Sequence, residues 1–329
     1  MDLLPQIGWL VLGLGLLSFG ADWLVRGASD LALRASVSPL VVGLTVVAFG
    51  TSAPELIVSL KANLGPTEAD IAVGNVIGSN ICNIALLLGL AALIRPFTVH
   101  SQIVRRELPV LLLVTAIFGA MIYDRRLDRW EGVLLFAGII AYVVHSIRVA
   151  RAAPNDPAAV DVPEEALEHA RKQGIGALLA SIGWVLLGLG GLIYGADRLD
   201  ESGVVLARLM GVPELVIGLT MVAIGTSLPE LATTIAATRK GEADLIAGNL
   251  VGSNLFNILA VMGLASAVKA IDLQSLNTID VVVMCGFTVL LIPFLARGAR
   301  LNRIEGGILI GGYLVYCAWM VKPEGFGVG

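Results

Sequence analysis

The sequence predicts an all-α polytopic membrane protein of ten transmembrane helices, arranged as two inverted five-helix repeats. Three observations carry this: the composition, a series of ten apolar runs, and an internal duplication. Of 329 residues, 57% are hydrophobic and only 15% charged. A soluble chain carries about 25% charged residues. Mean hydropathy is +0.86. The apolar runs do not alternate with period two, so they do not read as barrel strands.

The runs fall at about 6–26, 39–64, 70–94, 107–123, 131–149, 174–194, 212–237, 244–268, 278–296 and 304–322. Each is near the roughly 20 residues needed to cross a bilayer. Helices follow, because a backbone in lipid must satisfy its own hydrogen bonds. The opening Met-Asp-Leu-Leu-Pro-Gln has no basic stretch, so the first run is expected to be a span and not a cleaved signal. Within it Asp22 precedes Arg26 by four, and Asp197 adjoins Arg198 just past the sixth. Both are expected to form ion pairs at helix ends. The one long connector, near 150–173, holds Pro154-Asn155-Asp156-Pro157. Pro163 with Glu164 and Glu165 suits the first turn of a short helix there. It divides the chain into residues 1–150 and 174–329, with 151–173 as a cytoplasmic linker.

Basic residues set the orientation. With the N-terminus outside, fourteen Lys and Arg face the cytoplasm and eight face out. The expected placement is a prokaryotic inner membrane with both termini outside. A net charge of −4 argues against nucleic acid as a partner. Cys82, Cys285 and Cys317 lie in apolar runs without metal-ligand spacing, and His100, His145 and His169 are scattered. No disulfide, resident metal or cofactor is expected, and no obligatory protein partner is evident. The repeated serines have no His or Lys neighbour, so an intramembrane enzyme lacks its nucleophile and base.

The duplication is the strongest signal. Residues 43–56 read GLTVVAFGTSAPEL and 218–231 read GLTMVAIGTSLPEL, with eleven of fourteen positions identical. Residues 68–84, EADIAVGNVIGSNICNI, match 242–258, EADLIAGNLVGSNLFNI, at ten of seventeen. Gly20-Ala21-Asp22 is echoed by Gly195-Ala196-Asp197. The repeated regions are about 39–94 and 212–268. Five spans separate Glu55 from Glu230, an odd number, so the two copies enter the membrane from opposite sides. Inverted repeats of this kind build many secondary transporters, with the site at the midplane.

Glu55 and Glu230 each lie near the middle of a span, where an unpaired carboxylate costs on the order of 2.5–3.5 kcal/mol and marks function by default. No midspan Lys or Arg accompanies them, so the expected counter-charge is a cation from solution. Pro54 cannot donate to the carbonyl of Gly50, nor Pro229 to that of Gly225. Carbonyls around Ala48–Thr51 and Ala223–Thr226 are thereby expected to turn toward a ligand. Thr51 shares a face with Glu55, and Thr226 with Glu230. Asn75, Ser79 and Asn83 make a polar stripe at i, i+4 and i+8, repeated by Asn249, Ser253 and Asn257. Ser79, Asn83, Ser253 and Asn257 are the site candidates, while Asn75 and Asn249 are expected to bond between helices. Gly74/Gly78 and Gly248/Gly252 have the spacing of close helix approach. The donors are all oxygen, which suits a hard cation. Ca2+ takes 6–8 oxygens in flexible geometry, whereas Mg2+ demands an octahedron. Two glutamates balance one Ca2+, and Na+ is similar in size. An emptied pair of carboxylates needs Na+ or H+ in its place, which is the physical basis of exchange.

These motifs resemble those of the cation/calcium exchanger superfamily, whose repeats carry a GTSxPE-type motif and a following GSNxxN/D motif. The resemblance spans essentially the whole chain and looks most like the compact prokaryotic sodium/calcium exchangers. It implies ten helices and alternating access at a central site. It also implies Glu55 and Glu230 as shared Ca2+ and Na+ ligands, with carbonyl and hydroxyl oxygens from Thr51 and Thr226. Ser52, Ser227, Ser79 and Ser253, with the carbonyls of Ala48 and Ala223, would line flanking Na+ sites. Many relatives carry Asp at one of the positions matching Asn83 and Asn257, and potassium-dependent members carry it in the second repeat. Both are Asn here, which argues against K+ dependence. The paired GTSxPE motifs favour Na+ over H+ as counter-ion. The alternatives are H+/Ca2+ antiport and a passive cation channel.

Overall fold

The computed structural model describes residues 3–35, 39–65, 69–152, 175–209, 225–273 and 276–320. Most of the connector, the first half of the seventh predicted span and Ala223 lie outside the described residues. The helices are α1 (Leu3–Ala35), α2 (39–51), α3 (Ala53–Leu64), α4 (69–94), α5 (103–121) and α6 (Arg129–Ala152). They continue as α7 (Ile175–Leu209), α8 (Leu228–Lys240), α9 (243–268), α10 (Thr278–Ala296) and α11 (Arg303–Met320). Among the described residues seven helices are long and apolar enough to cross a membrane, and α2 with α3 makes an eighth if bent pairs count as one span. The chain is a polytopic helical membrane protein.

Two helices overrun the predicted spans. At 1.5 Å per residue the 33 residues of α1 extend about 50 Å, against about 30 Å of hydrocarbon. Hydropathy falls after Arg26, but Ala, Leu and Arg remain strong helix formers and no proline intervenes. The same holds for α7, which runs to Leu209. These two helices pack antiparallel along a seam of small residues. A Cβ on Gly13 would meet Gly195 O at 2.9 Å, one on Gly20 would meet Leu192 N at 2.9 Å, and one on Gly27 would meet Ser181 O at 2.8 Å. The repeated Gly20 and Gly195 therefore belong to a seam that lets two backbones touch.

Helices α4 and α9 form the centre, with 72% and 78% of their spans buried, against 28–33% for the other full-length spans. Gly248 and Gly252 bring α9 against α2: Cβ atoms there would lie 2.7 Å from Leu40 O and 2.8 Å from the Ala48 Cβ. Gly74 and Gly78 meet nothing within 4 Å among the described residues. Both central helices contain a π-helical stretch, Cys82–Leu88 and Asn257–Met262. Such stretches turn side chains off the regular helical rows and recur at functional sites.

Short strands close the ends. Strand β1 (Phe97–Thr98) pairs antiparallel with β4 (Arg300–Leu301), and β2 (Arg126–Leu127) with β3 (Ile271–Asp272). Phe97 faces Leu301, and Leu127 faces Ile271. The two ladders are reciprocal: moving 174 positions along the chain carries Phe97 onto Ile271 and Leu127 onto Leu301.

The expected Asp22–Arg26 pair does not form. Lys240 reaches Asp22 instead, at 3.4 Å to the carboxylate, while the Arg26 guanidinium lies 5.1 Å over the Trp184 ring. A partly dehydrated aromatic face offers the arginine more than an exposed carboxylate does. Asp197 does pair with Arg198.

Candidate functional site

The GTSxPE runs sit at two helix breaks. Ser52, with φ −82° and ψ 6°, separates α2 from α3, and the two are bent by 43°. Ser227, with φ −87° and ψ 4°, precedes α8. Pro54 and Pro229 fall in the first turns of the following helices, where a missing N–H leaves nothing unsatisfied. The prolines thus start new helices, and Glu55 and Glu230 take first-turn positions, where the helix dipole favours negative charge. The Ala48 carbonyl, expected to turn toward a ligand, accepts the Ser52 N–H at 3.0 Å and the Thr51 hydroxyl at 3.4 Å.

Both carboxylates are buried, each 1% exposed, and within electrostatic reach of one another. Among the described residues no Lys or Arg forms an ion pair with either. The polar side chains around them come from both repeats. Ser79 donates to Glu55 Oε1, and Ser253 to Glu230 Oε1, both at 3.4 Å. The Thr51 hydroxyl donates to Asn249 Oδ1 and that of Thr226 to Asn75 Oδ1, both at 3.2 Å. Ser52 donates to Glu230 Oε1 at 3.4 Å, and Ser227 to Ser79 Oγ at 3.3 Å. Asn75 and Asn249 bond between helices, as expected.

The structure therefore brings nine of the twelve candidates into one buried cluster; Asn83 and Asn257, four residues beyond Ser79 and Ser253 on the same helices, bond Asn254 and Asn80, and Ala223 is outside the described residues. Among the described residues, four buried acceptors of these candidates have no partner: Glu55 Oε2, Glu230 Oε2, Asn83 Oδ1 and Asn257 Oδ1. Buried acceptors left open cost stability unless something cationic or protic meets them. Two carboxylate and two amide oxygens, lined by hydroxyls, make a hard-cation donor set. No group of three or more His, Cys, Asp or Glu suited to a metal forms among the described residues. The halves differ at one contact. Asn75 Nδ2 donates to Ser59 Oγ at 3.2 Å, whereas Asn249 Nδ2 and Thr234 Oγ1, at the corresponding positions, are both unpaired.

Two residues escaped the sequence reading. Asn80 and Asn254 are each 1% exposed and bond the amides of Asn257 and Asn83 across the two repeats. They lie one position off the i, i+4, i+8 stripe, so spacing alone passed over them. Their identity in both copies was the available signal.

The sodium/calcium exchanger protein family matches residues 5–148 and 180–322. The chain belongs to that family. The exchanger is 40% identical over 315 residues to the inner membrane protein YrbG of Escherichia coli, covering 94% of this chain and 95% of the relative. It is 30% identical over 348 residues to the sodium/calcium exchanger MaX1 of Methanosarcina acetivorans, covering 95% and 96%. A solved structure of the sodium-calcium exchanger NCX_Mj, soaked with 10 mM Na+ and zero Ca2+, superposes with a TM-score of 0.83 at 30% identity, covering 96% of this chain and 99% of that one. The exchanger is an integral membrane transporter, and its family is not one of enzymes.

Proposed function

We propose that the protein is a secondary antiporter that exchanges Na+ for Ca2+ at the buried cluster between the repeats. The observation that carries this is the set of four unpartnered acceptors, Glu55 Oε2, Glu230 Oε2, Asn83 Oδ1 and Asn257 Oδ1. The ion contacts both glutamates, with Thr51, Thr226, Ser52, Ser227, Ser79, Ser253, Asn83 and Asn257 and the carbonyls of Ala48 and Ala223 as further oxygens. One Ca2+ neutralises the two carboxylates. When it leaves, Na+ must enter for the pair to remain compensated at low dielectric. That obligation couples the two fluxes. No cofactor takes part.

In this reading the two halves are inverted five-helix repeats in a ten-helix chain, with N- and C-termini outside a prokaryotic inner membrane and the 151–173 linker in the cytoplasm. The reciprocal contacts support it: Thr51–Asn249 with Thr226–Asn75, and Phe97–Leu301 with Leu127–Ile271. Alternating access needs the halves to differ at any moment while remaining interchangeable. The Asn75–Ser59 bond, with Asn249 and Thr234 unpaired, is such a difference.

The deciding experiment is flux. Proteoliposomes loaded with Na+ take up 45Ca2+ when an outward Na+ gradient is imposed, and fail to without Na+. Uptake driven by a pH gradient with Na+ absent would make the counter-ion H+. Uptake indifferent to any opposing ion would make the protein a channel.

A further inference from the structure

Each amide of the candidate ion cluster must offer an oxygen to a cation and not its NH2 group, and an asparagine can turn either way. We infer that Asn80 and Asn254 are positioning residues that settle this choice for Asn257 and Asn83. Two backbone carbonyls, which can only accept, fix the first pair of amides. Asn254 Nδ2 donates to the carbonyl of Asn80 at 3.2 Å, and Asn80 Nδ2 faces the carbonyl of Asn254 at 3.5 Å. Each amide therefore points its nitrogen at the opposite backbone and its Oδ1 the other way. Asn254 Oδ1 accepts from Asn83 Nδ2 at 3.0 Å, and Asn80 Oδ1 accepts from Asn257 Nδ2 at 3.1 Å. Asn83 and Asn257 must then present nitrogen to the clasp. Their Oδ1 atoms are what remains, and these are the two unpartnered amide oxygens of the cluster.

The clasp is crossed: a residue of α9 orients a residue of α4, and the reverse. All four side chains are at most 1% exposed, so water does not compete for these bonds. Preorganised ligands bind more tightly because their orientation is fixed before the ion arrives.

The inference rests on the reading that Asn83 and Asn257 face the ion, and a double-mutant cycle tests it. Binding is read at equilibrium on the purified full chain, as Ca2+ affinity and as the Na+ concentration that displaces Ca2+. Asn254→Ala weakens at least one of the two affinities by about 10- to 100-fold, as loss of an orienting partner does. In an Asn83→Ala background the same substitution changes it by about twofold or less. In an Asn257→Ala background it keeps its full effect, because Asn80 is held by the backbone of residue 254 and not by its side chain. Effects of Asn254→Ala and Asn83→Ala that simply multiply would overturn the clasp. If Asn254→Ala does not fold, as judged by its melting temperature, the mirror cycle of Asn80→Ala and Asn257→Ala decides on the same criterion. A wild type that binds Ca2+ but does not trade it for Na+ removes the exchange reading and not this one, since the cycle reads binding alone.

Discussion

The Ser52 hydroxyl donates to Glu230 Oε1 at 3.4 Å, although Ser52 lies three residues before Glu55 in its own repeat. A break that begins in the first motif thus ends on the carboxylate of the second. Neither motif builds its surroundings alone. A change in one repeat must alter the oxygens offered by the other, which is the coupling that an exchanger with a shared site requires.

On the proposed reading, Glu55→Gln and Glu230→Gln each remove one of the two charges that would balance a divalent ion. Each variant is expected to lower Na+-driven 45Ca2+ uptake to the background of empty liposomes. Both should still insert and elute as a folded species, because the amide keeps the volume and can accept from Ser79 or Ser253. Near-normal uptake by either variant would remove that carboxylate from the site.

Pro54 is expected to act on rate. Alanine at 54 restores an N–H that can reach the Gly50 carbonyl and extend α2 through the 43° bend. Pro54→Ala is expected to slow maximal uptake while equilibrium Ca2+ binding stays close to wild type. Stopped-flow uptake beside equilibrium binding separates the two effects. An unchanged rate with weakened binding would mean that the bend shapes the ligands and does not serve the motion.

Not every buried acid is an ion ligand. Glu107, fully buried, accepts from the Tyr142 hydroxyl and from Gln102 Nε2, both at 2.8 Å, with Arg106 Nε at 3.7 Å. Its carboxylate has partners on both oxygens, whereas among the described residues no Lys or Arg pairs with Glu55 or Glu230. Tyr142→Phe is expected to cost about 1–3 kcal/mol of stability, seen as a lower melting temperature, with exchange kinetics unchanged. A shift in Ca2+ affinity with no loss of stability would place Glu107 on the ion path.

Much of this was legible in the sequence because lipid makes polar residues conspicuous. A repeated Glu, Thr, Ser and Asn inside an apolar run stands out against the cost of burying it, and the structure gathers those residues. Helix lengths were less legible. Hydropathy reports where lipid ends, not where hydrogen bonding ends, so α1 and α7 ran past it. Asn80 and Asn254 were hidden because they sit one position off the polar stripe and their partners lie on the central helix of the other repeat, out of reach of any local pattern. The pairing of Asp22 with Lys240 depends on helices far apart in sequence, which no local spacing encodes.

The α1–α7 seam offers a paired test on neighbouring glycines. A Cβ on Gly188 would lie 2.5 Å from Leu24 N and 2.8 Å from Gly20 O, both backbone atoms that cannot turn aside. A Cβ on Gly190 meets nothing within 4 Å. Gly188→Ala must push the two helices apart, at about 1–3 kcal/mol for overpacking. Gly190→Ala only trades glycine for a better helix former, a gain of up to about 1 kcal/mol. Melting temperatures of the purified proteins should therefore move in opposite directions, down at 188 and level or up at 190. The seam joins a first-half helix to a second-half helix, so its loosening at 188 should also reduce uptake in proportion to the folded fraction lost. If Gly188→Ala is as stable as Gly190→Ala, the helices do not touch there, and glycine at 20 and 195 needs another explanation.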